Sequence, residues 1–431
     1  MPSLKRGTLV NFASRLATLG AGLAITVVTA RLGTEPQGTF ALFTSAEAIL
    51  LTLFSGFGIA LARRISHHAE RPAALVGAIV VTCVLLGLVA STAIGAFAKF
   101  GPDAYAPLWI LAIAAPLLLV APNLAGVWLG QARMGPLAVI AVAPPLIVLL
   151  GIAGVAMMGG ITTIDLVLWC WVVAKVLVTI GVLVFARRTG WVAAPDLRAL
   201  RSELPFVAAI GATNLIGLLN LRVDLFLVQH FLGTSATGVY SVAVLVAELL
   251  WFVSFSVSQA AYAQIGARDA AGSGALVVRV VHWSLLALLV ASPLLWLGAY
   301  LVLPRLLGRA YVEALPILAI LLPGVLAFGA GSTLSAFFTN QLGRPIIPAV
   351  IATLSLIVNF AISWVLIPRL GMVGGALATS LSYLIAIVVA FSVFMRVSGT
   401  SLRSLLSVEC GFLRANRRPT SGVVASSSRR D

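Results

Sequence analysis

The chain has 431 residues, of which 61% are hydrophobic and only 10% are charged, and its mean hydropathy is +1.10. A soluble globular domain carries about 25% charged residues, so this composition excludes that class and predicts an integral membrane protein. The formal net charge of +15 by itself would suit a nucleic-acid-binding protein, and the positions of the basic residues decide against that partner.

Membrane-length apolar segments recur along the whole chain. A hydrocarbon core about 30 Å thick requires about 20 apolar residues per helix. The sequence therefore predicts an all-α integral membrane protein with about 12 transmembrane helices. The predicted helices, numbered 1 to 12 in chain order, cover residues 7–32, 36–62, 73–97, 106–130, 136–159, 165–186, 204–230, 236–262, 277–302, 312–338, 346–367 and 372–396.

The basic residues are unevenly distributed between the two sides of these predicted helices. With the N-terminus inside, 20 of the 28 lysines and arginines are cytoplasmic, five are on the opposite side and three are intramembrane. Such a bias in short loops orients a membrane protein with its positive side in the cytoplasm. The pattern predicts a multi-pass protein with both termini cytoplasmic, and it explains the charge without nucleic acid.

Predicted helix 1 carries a polar stripe that includes one of the intramembrane charges. Asn11, Arg15, Thr18 and Gly22 are spaced by four, three and four residues, which places them on one face of a helix. Arg15 lies about 12 Å from the inner end of this helix. A charge at that depth needs a partner or a wet cavity. Arg15 either holds a phosphate or pairs with a carboxylate of a neighbouring helix.

Two acids and a lysine are the next intramembrane charges in the chain. Glu47 in helix 2 and Glu248 in helix 8 occupy nearly equivalent places, 201 residues apart, and either couple transport to protons or neutralise Arg15 or Arg222. Lys175 in helix 6 either adds positive charge to a cavity or is a paired lysine. No set of Cys or His residues has metal-ligand spacing, so neither a metal nor another cofactor is expected.

Predicted helix 7 repeats the polar stripe of helix 1. Thr213, Gly217, Asn220 and Asp224 are again spaced by four, three and four residues. Arg222 is two residues from Asp224, so the two side chains point to different faces and are poor mutual partners. Asp224 either binds a coupling cation, orients a cationic residue, or forms an ion pair that locks helix 7 to a neighbour.

The two halves of the chain resemble each other. Residues 32–40 match residues 232–240 at an offset of 200, with Leu, Gly, Thr and a second Gly identical, and residues 101–116 echo 308–323 at an offset of 207. Because each repeat contains six helices, the repeats are parallel, and the site is expected between them near the midplane. The predicted domains are an N-terminal lobe (1–187), a cytoplasmic linker (188–203), a C-terminal lobe (204–397) and a basic, disordered cytoplasmic tail (398–431).

Several short motifs resemble those of a known family. They are Ala30-Arg31-Leu32-Gly33, Gly38-Thr39-Phe40-Ala41-Leu42, Gly56-Phe57-Gly58-Ile59-Ala60, Arg222-Val223-Asp224 before Leu232-Gly233 and Gly238-Val239-Tyr240, and Leu370-Gly371 before Gly374-Gly375-Ala376-Leu377-Ala378. In order and spacing they resemble the oligosaccharide-lipid (polysaccharide or O-antigen type) flippases of the multidrug/oligosaccharidyl-lipid/polysaccharide exporter superfamily.

This resemblance implies a V-shaped, MATE-like bundle that works by alternating access. Its substrate would be a polyprenyl-diphosphate-linked oligosaccharide, which it would move across the bacterial inner membrane for surface polysaccharide biosynthesis. Substrate contacts are expected from Asn11, Arg15, Lys175 and Arg222, with Glu47, Asp224 and Glu248 as coupling or charge-balancing residues. The other partners expected are membrane lipid, a coupling cation (H⁺ or Na⁺), a polysaccharide polymerase and glycosyltransferases.

Two features of the sequence bear on other classes of protein. A cation-coupled multidrug antiporter of the same fold is the alternative, but for cationic drugs it should carry an acid, not Arg15, on the polar face of helix 1. An enzyme is not expected, because the sequence has no P-loop, no zincin motif and no pattern of an acyl-transfer triad.

Overall fold

The computed structural model describes residues 2–68, 72–160, 162–252, 254 and 270–399. Within these ranges the fold is all-helical and has no strands. The α-helices are α1 (Pro2–Leu32), α2 (Thr34–Leu53), α3 (Gly56–His68), α4 (Ala73–Phe100), α5 (Leu108–Leu118), α6 (Val120–Gly130), α7 (Met134–Met157), α8 (Ile164–Arg188), α9 (Leu197–Glu248), α10 (Ala270–Leu306), α11 (Ala314–Ala336), α12 (Ile346–Leu370) and α13 (Met372–Ser398).

The described helices account for the predicted membrane segments. Ten are long and apolar enough to span a membrane, and the bent pair α2–α3 makes eleven. Helix α9 contains predicted helix 7 and the first part of predicted helix 8, and it is broken between them at Gly233, whose φ of 84° is outside the helical range. The end of predicted helix 8, 255–262, and the predicted tail from residue 400 onward lie outside the described residues.

Two predicted helices are not continuous. Predicted helix 2 is bent by 43° between α2 and α3, where Ser55 donates a hydrogen bond to the Thr52 carbonyl. Gly56 follows the bend, and a Cβ there would overlap the carbonyl oxygen of Val207 in α9. Predicted helix 4 is divided at Leu119, three residues before Pro122, which has no N–H to donate along the helix. Hydropathy alone does not reveal such bends.

The start of α9 connects the two halves of the chain. Half of the predicted linker is helical, because α9 begins at Leu197 and Asp196 caps it by accepting hydrogen bonds from the N–H groups of Arg198 and Ala199. Trp191 and Leu200 are buried in a hydrophobic cluster of the first half. Glu203 pairs with Arg64 of α3 at 3.2 Å.

Helix α2 packs along α9, and the repeated sequence 32–40 meets its own echo there. Gly38 and Gly238 approach so closely that a Cβ on either would overlap a carbonyl oxygen of the other segment, that of Thr234 or Thr34. We call this crossing the glycine seam. Beside it, Thr34 Oγ1 and Ser235 Oγ are 2.6 Å apart, and Gln37 donates to Ser241.

The hydrogen bonds beside the glycine seam repeat the internal symmetry. The Thr29 hydroxyl donates to the Gln37 side chain, and the Thr237 hydroxyl donates to Gln229 at 3.0 Å. At the offset of 200, Thr29 corresponds to Gln229 and Gln37 to Thr237, so one contact is made twice with its partners exchanged. All four side chains are buried. The seam therefore lies on the pseudo-symmetry axis of the repeat.

Candidate functional site

A cavity of about 270 Å³ lies among five helical segments of the first half. These segments are α1, the C-terminal end of α2, the junction of α5 and α6, α7 and α8. Its lining residues are Thr18, Gly22, Leu51, Leu118, Ala121, Pro122, Ile140, Ala141, Pro144, Pro145, Trp171, Lys175, Val178 and Thr179. Glycine, alanine and proline occupy six of these 14 positions, and they leave space that longer side chains would fill.

One wall of this cavity carries an ion pair. Lys175 Nζ lies 2.6 Å from Glu47 Oε1, and Trp171 Nε1 donates to Glu47 Oε2 at 2.8 Å. The ammonium group also lies 4.6 Å from the centre of the Trp171 ring. The Glu47 side chain is 3% exposed and that of Lys175 is 23% exposed, so the carboxylate is buried behind the lysine. The wall is therefore electrically neutral.

The polar stripe of α1 runs past the same cavity. Thr18 and Gly22 line it, and the Thr18 hydroxyl donates to the Ala141 carbonyl of α7 at 3.3 Å. Arg15 lies one turn nearer the N-terminus on this stripe, and Asn11 one turn further; both are exposed. Among the residues that the structure describes, Arg15 makes no ion pair.

A further ion pair lies in the second half. Arg222 Nη1 lies 2.7 Å from Glu248 Oε1 and Arg222 Nη2 lies 3.2 Å from Glu248 Oε2, so the contact is bidentate. The side chains are 28% and 19% exposed. A bidentate guanidinium–carboxylate pair fixes direction as well as distance. It joins the two parts of α9 on either side of the break at Gly233.

Asp224 is buried in this half, and no cationic group of the described residues lies at hydrogen-bond distance from it. Its Oδ2 accepts hydrogen bonds from the Tyr240 hydroxyl at 2.7 Å and from the Thr379 hydroxyl of α13 at 2.9 Å. Its Oδ1 accepts from the Leu225 N–H. The side chain thus connects both parts of α9 with α13 through neutral donors.

A small cavity and a buried polar atom without a hydrogen-bond partner lie near Asp224. A cavity of about 10 Å³, large enough for about one water, is lined by Asp224, Glu248 and Thr379 among others. Asn220 Oδ1, one turn before Asp224 on α9, is buried without a hydrogen-bond partner in the described chain. Buried polar atoms are normally satisfied, so this region has room for a small polar ligand or ion. No group of three His, Cys, Asp or Glu side chains that could hold a metal is found among the described residues.

The structure thus sorts the predicted site residues into separate groups. Lys175 with Glu47, and Arg222 with Glu248, form one pair in each half. Arg15 and Asn11 are exposed on α1, and Asp224 is buried in the second half. The four residues predicted to bind substrate are not brought together by any contact that the structure records. Lys175 lines the same cavity as Thr18 and Gly22, and Arg15 lies on the face of α1 that carries those two residues.

Sequence reasoning missed the hydroxyl partners of Asp224. Thr379 is one of several hydroxyl residues in its helix and gave no signal. Tyr240 is the counterpart of Phe40 in the repeat, and the hydroxyl is the only group that distinguishes the two side chains. Phe40 packs edge-on against Trp171 at 5.3 Å, beside the Glu47 pair, whereas Tyr240 contacts Asp224. The two equivalent rings thus differ in role: Phe40 packs on the tryptophan that binds Glu47, and Tyr240 donates directly to Asp224.

Comparison with known proteins gives one match by sequence. The family model described as "Polysaccharide biosynthesis protein" matches residues 4–263, which is more than half of the chain. No curated protein matches the sequence.

Solved structures are similar across nearly the whole chain. The lipid II flippase MurJ in an inward closed conformation has a TM-score of 0.75 at 14% identity, and the match covers 93% of this chain and 89% of that one. An inward-facing multidrug resistance MATE family transporter of the MOP superfamily has a TM-score of 0.73 at 14% identity, covering 93% and 99%. A MOP superfamily transporter from Pyrococcus furiosus has a TM-score of 0.64 at 14% identity, covering 94% and 96%. At these identities the similarity shows the fold.

Proposed function

Because the chain belongs to the polysaccharide biosynthesis protein family, we propose that it flips a polyprenyl-diphosphate-linked oligosaccharide across the bacterial inner membrane. It is not an enzyme in this proposal, and both termini are cytoplasmic. The two predicted lobes, 1–187 and 204–397, alternate between inward and outward access about their contact along α2 and α9. Glycosyltransferases and a polymerase supply and consume the substrate, and the sugar is moved without covalent change.

One observation carries this proposal: within the part of the chain that the structure describes, Arg15 is the predicted intramembrane cation without a carboxylate partner. Lys175 and Arg222 each have a carboxylate partner at 2.6 and 2.7 Å, whereas Arg15 is exposed on the cavity stripe of α1 and is unpaired within the described residues. An unpaired charge within a membrane is costly and marks a substrate path. A guanidinium group suits a diphosphate because its planar fork donates two parallel hydrogen bonds. Asn11, one turn away, adds an amide donor.

Lys175 and Arg222 have a secondary place in substrate binding. Each would have to exchange its carboxylate for phosphate, and the carboxylate left behind would then need a proton. Lys175 lines the cavity and is the nearer of the two to the stripe of Arg15. We assign the first contact with diphosphate to Arg15.

Replacement of Arg15 tests the assignment directly. A charge-assisted hydrogen bond contributes about 1.5–3 kcal/mol, so Arg15→Ala should lower the rate of lipid-linked oligosaccharide translocation in proteoliposomes by about 10-fold to 100-fold. Arg15→Lys should retain part of the rate, because it keeps the charge and loses the fork. Arg369→Ala, at an exposed arginine of α12, is the matched control. Normal translocation by Arg15→Ala would refute the phosphate contact.

Asp224 is our candidate for the residue that couples transport to H⁺ or Na⁺. Glu47 and Glu248 have cationic partners, whereas the donors to Asp224 among the described residues are all neutral. A buried carboxylate in such surroundings gains from binding a proton or a small cation. The neighbouring small cavity gives that cation room, and Asn220 Oδ1, one turn before Asp224 on α9 and unpaired among the described residues, is an oxygen that can accept it.

Asp224→Asn should separate translocation from the ion gradient. Translocation by the wild-type protein should accelerate when an H⁺ or Na⁺ gradient is imposed across the proteoliposome, and translocation by the variant should not respond to either. Asp165→Asn, at an exposed acid of α8, is the control and should respond normally. A full response by Asp224→Asn would remove Asp224 from coupling.

The similarity to MATE transporters keeps one competing function open to test. A cation-coupled multidrug antiporter would change the resistance of its host to cationic drugs and leave surface polysaccharide intact. The flippase predicts the reverse result in a strain from which the gene is deleted. We favour the flippase because the unpaired charge on α1 is a cation, which repels cationic drugs.

A further inference from the structure

The cavity of the first half has a lining that is poorly suited to sugars or phosphates. Apart from Thr18, Thr179, Trp171 and Lys175, its lining residues have no polar side chains. Sugars require many hydrogen-bond partners, and burying them here would leave hydroxyl groups unsatisfied. The cavity therefore selects for an apolar ligand.

The one charge in the lining is already neutralised. Lys175 has Glu47 at 2.6 Å and the Trp171 ring at 4.6 Å, and Trp171 binds the second carboxylate oxygen. An anion entering the cavity would have to break this network. An apolar ligand would leave it intact and pack against the tryptophan ring.

The size of the cavity limits how much of a ligand it can hold. Its volume of about 270 Å³ is many times the about 10–15 Å³ that one water needs on the same measure, which is room for a short length of hydrocarbon chain. Cavities lined by apolar groups hold water poorly, and an empty one loses the packing contacts of its walls. A hydrocarbon that fits would restore those contacts.

Arg15 lies next to this cavity along α1. It precedes Thr18 by three residues, a rise of about 4.5 Å along a helix, and Thr18 is the first residue of α1 in the lining. A diphosphate held by Arg15 would therefore have the first carbons of its lipid beside the cavity. The positive charge of Arg15 suits the diphosphate end of a polyprenyl diphosphate, and the apolar lining of the cavity suits its hydrocarbon end.

We propose that this cavity binds the isoprenoid units nearest the diphosphate of the lipid-linked substrate. The proposal rests on the proposed function and adds to it a lipid-binding site in the first half. Recognition of the carrier lipid, which the cavity supplies, is then separate from recognition of the sugar. A transporter so built accepts different sugars on one carrier.

Gly22 allows the cavity to be filled without disturbing the backbone. A Cβ on Gly22 would meet no atom within 4 Å, and the same is true of Gly20, two residues away. Gly22 lines the cavity and Gly20 is exposed. Gly22→Phe therefore fills the cavity, and Gly20→Phe adds the same side chain to the same helix outside it.

The experiment measures binding of farnesyl diphosphate and of inorganic diphosphate to the purified full-length protein. The wild-type protein should bind farnesyl diphosphate at least about tenfold more tightly than it binds inorganic diphosphate. Gly22→Phe should remove this difference, and Gly22→Ala should reduce it slightly. Inorganic diphosphate should bind with the same affinity to the wild-type protein, Gly22→Phe and Gly22→Ala. Gly20→Phe should behave as wild type, and melting temperatures should confirm that each variant is folded.

Each other result contradicts the proposal in a distinct way. If Gly22→Phe keeps the full preference for farnesyl diphosphate, the cavity does not bind isoprenoid, and the diphosphate contact at Arg15 stands. If wild type binds neither compound, the proposed function fails together with this site. If phosphatidylglycerol displaces farnesyl diphosphate equally well, the cavity holds bulk lipid chains and the isoprenoid assignment is wrong.

Discussion

At the scale of single residues, the pairing of the buried charges carries most of the functional information. Glu47 and Glu248 are nearly equivalent in the repeat, and each neutralises one cation of its own half. The cations come from different places, Lys175 from α8 and Arg222 from the first part of α9. Two charges are then left without an ion-pair partner in the described chain, Arg15 and Asp224. Arg15 suits an anionic substrate, and Asp224 suits a cation.

The Arg222–Glu248 pair should behave as a structural unit. Removing one member of a buried ion pair leaves an uncompensated charge and costs about 3–5 kcal/mol, whereas an apolar replacement of both is often neutral. Arg222→Leu and Glu248→Leu should each lower the melting temperature of the purified protein, and the double variant should recover most of the loss. If the double variant is folded but does not transport, Arg222 also acts on substrate. A double variant no more stable than the singles would contradict a purely structural pair.

At the scale of helices, the glycine seam sets how closely α2 can pack on α9. The contact requires residues without side chains at Gly38 and Gly238, because carbonyl oxygens occupy the positions of the missing Cβ atoms. Close backbone approach through small residues is a common way for membrane helices to associate. The nearby Thr29–Gln37 and Thr237–Gln229 contacts strengthen the same crossing.

Gly38→Ala should therefore force the two helices apart at the seam. The methyl group would collide with backbone, which cannot yield as a flexible side chain can, and we expect a lower melting temperature and faster labelling of a cysteine placed at Ser241. Gly217→Ala is the control, since a Cβ there meets no atom within 4 Å and alanine is favoured over glycine in a helix. Unchanged stability and labelling in Gly38→Ala would show that the seam tolerates separation.

At the scale of the whole molecule, the two halves are in contact at both ends of α2. Near the seam, the Tyr311 hydroxyl donates to the Gly33 carbonyl and Arg31 donates to the Leu306 carbonyl. Near the bend between α2 and α3, Asn214 donates to Ser55 at 2.9 Å. Alternating access requires that contacts at one end break while those at the other end hold.

A cross-link at the seam should stop transport if the halves move there. Thr34 and Ser235 have hydroxyl oxygens 2.6 Å apart, so cysteines at both positions should form a disulfide. In a background without Cys83, Cys170 and Cys410, oxidation of the Thr34→Cys/Ser235→Cys variant should abolish translocation, and reduction should restore it. Each single cysteine variant is the control. Full activity of the oxidised double variant would show that the seam stays closed during transport.

The sequence by itself determined the membrane class, the approximate helices and the ionisable residues that lie within their apolar segments. Each of these depends on local features, such as the length of an apolar run or the position of an ionisable residue within it. The repeat that meets at the glycine seam is also visible in the sequence, because residues 32–40 match residues 232–240. The family followed from the same local motifs, and the match over residues 4–263 agrees with it.

Only the tertiary structure decided which charges are paired. Lys175 meets Glu47 across 128 residues of chain, and Thr379 meets Asp224 across 155. Periodicity places a side chain on a face of its own helix, but its partner depends on how distant helices pack against that face. The bend after Leu53 and the cavity beside Thr18 arise in the same way, from contacts between segments that are far apart in the sequence.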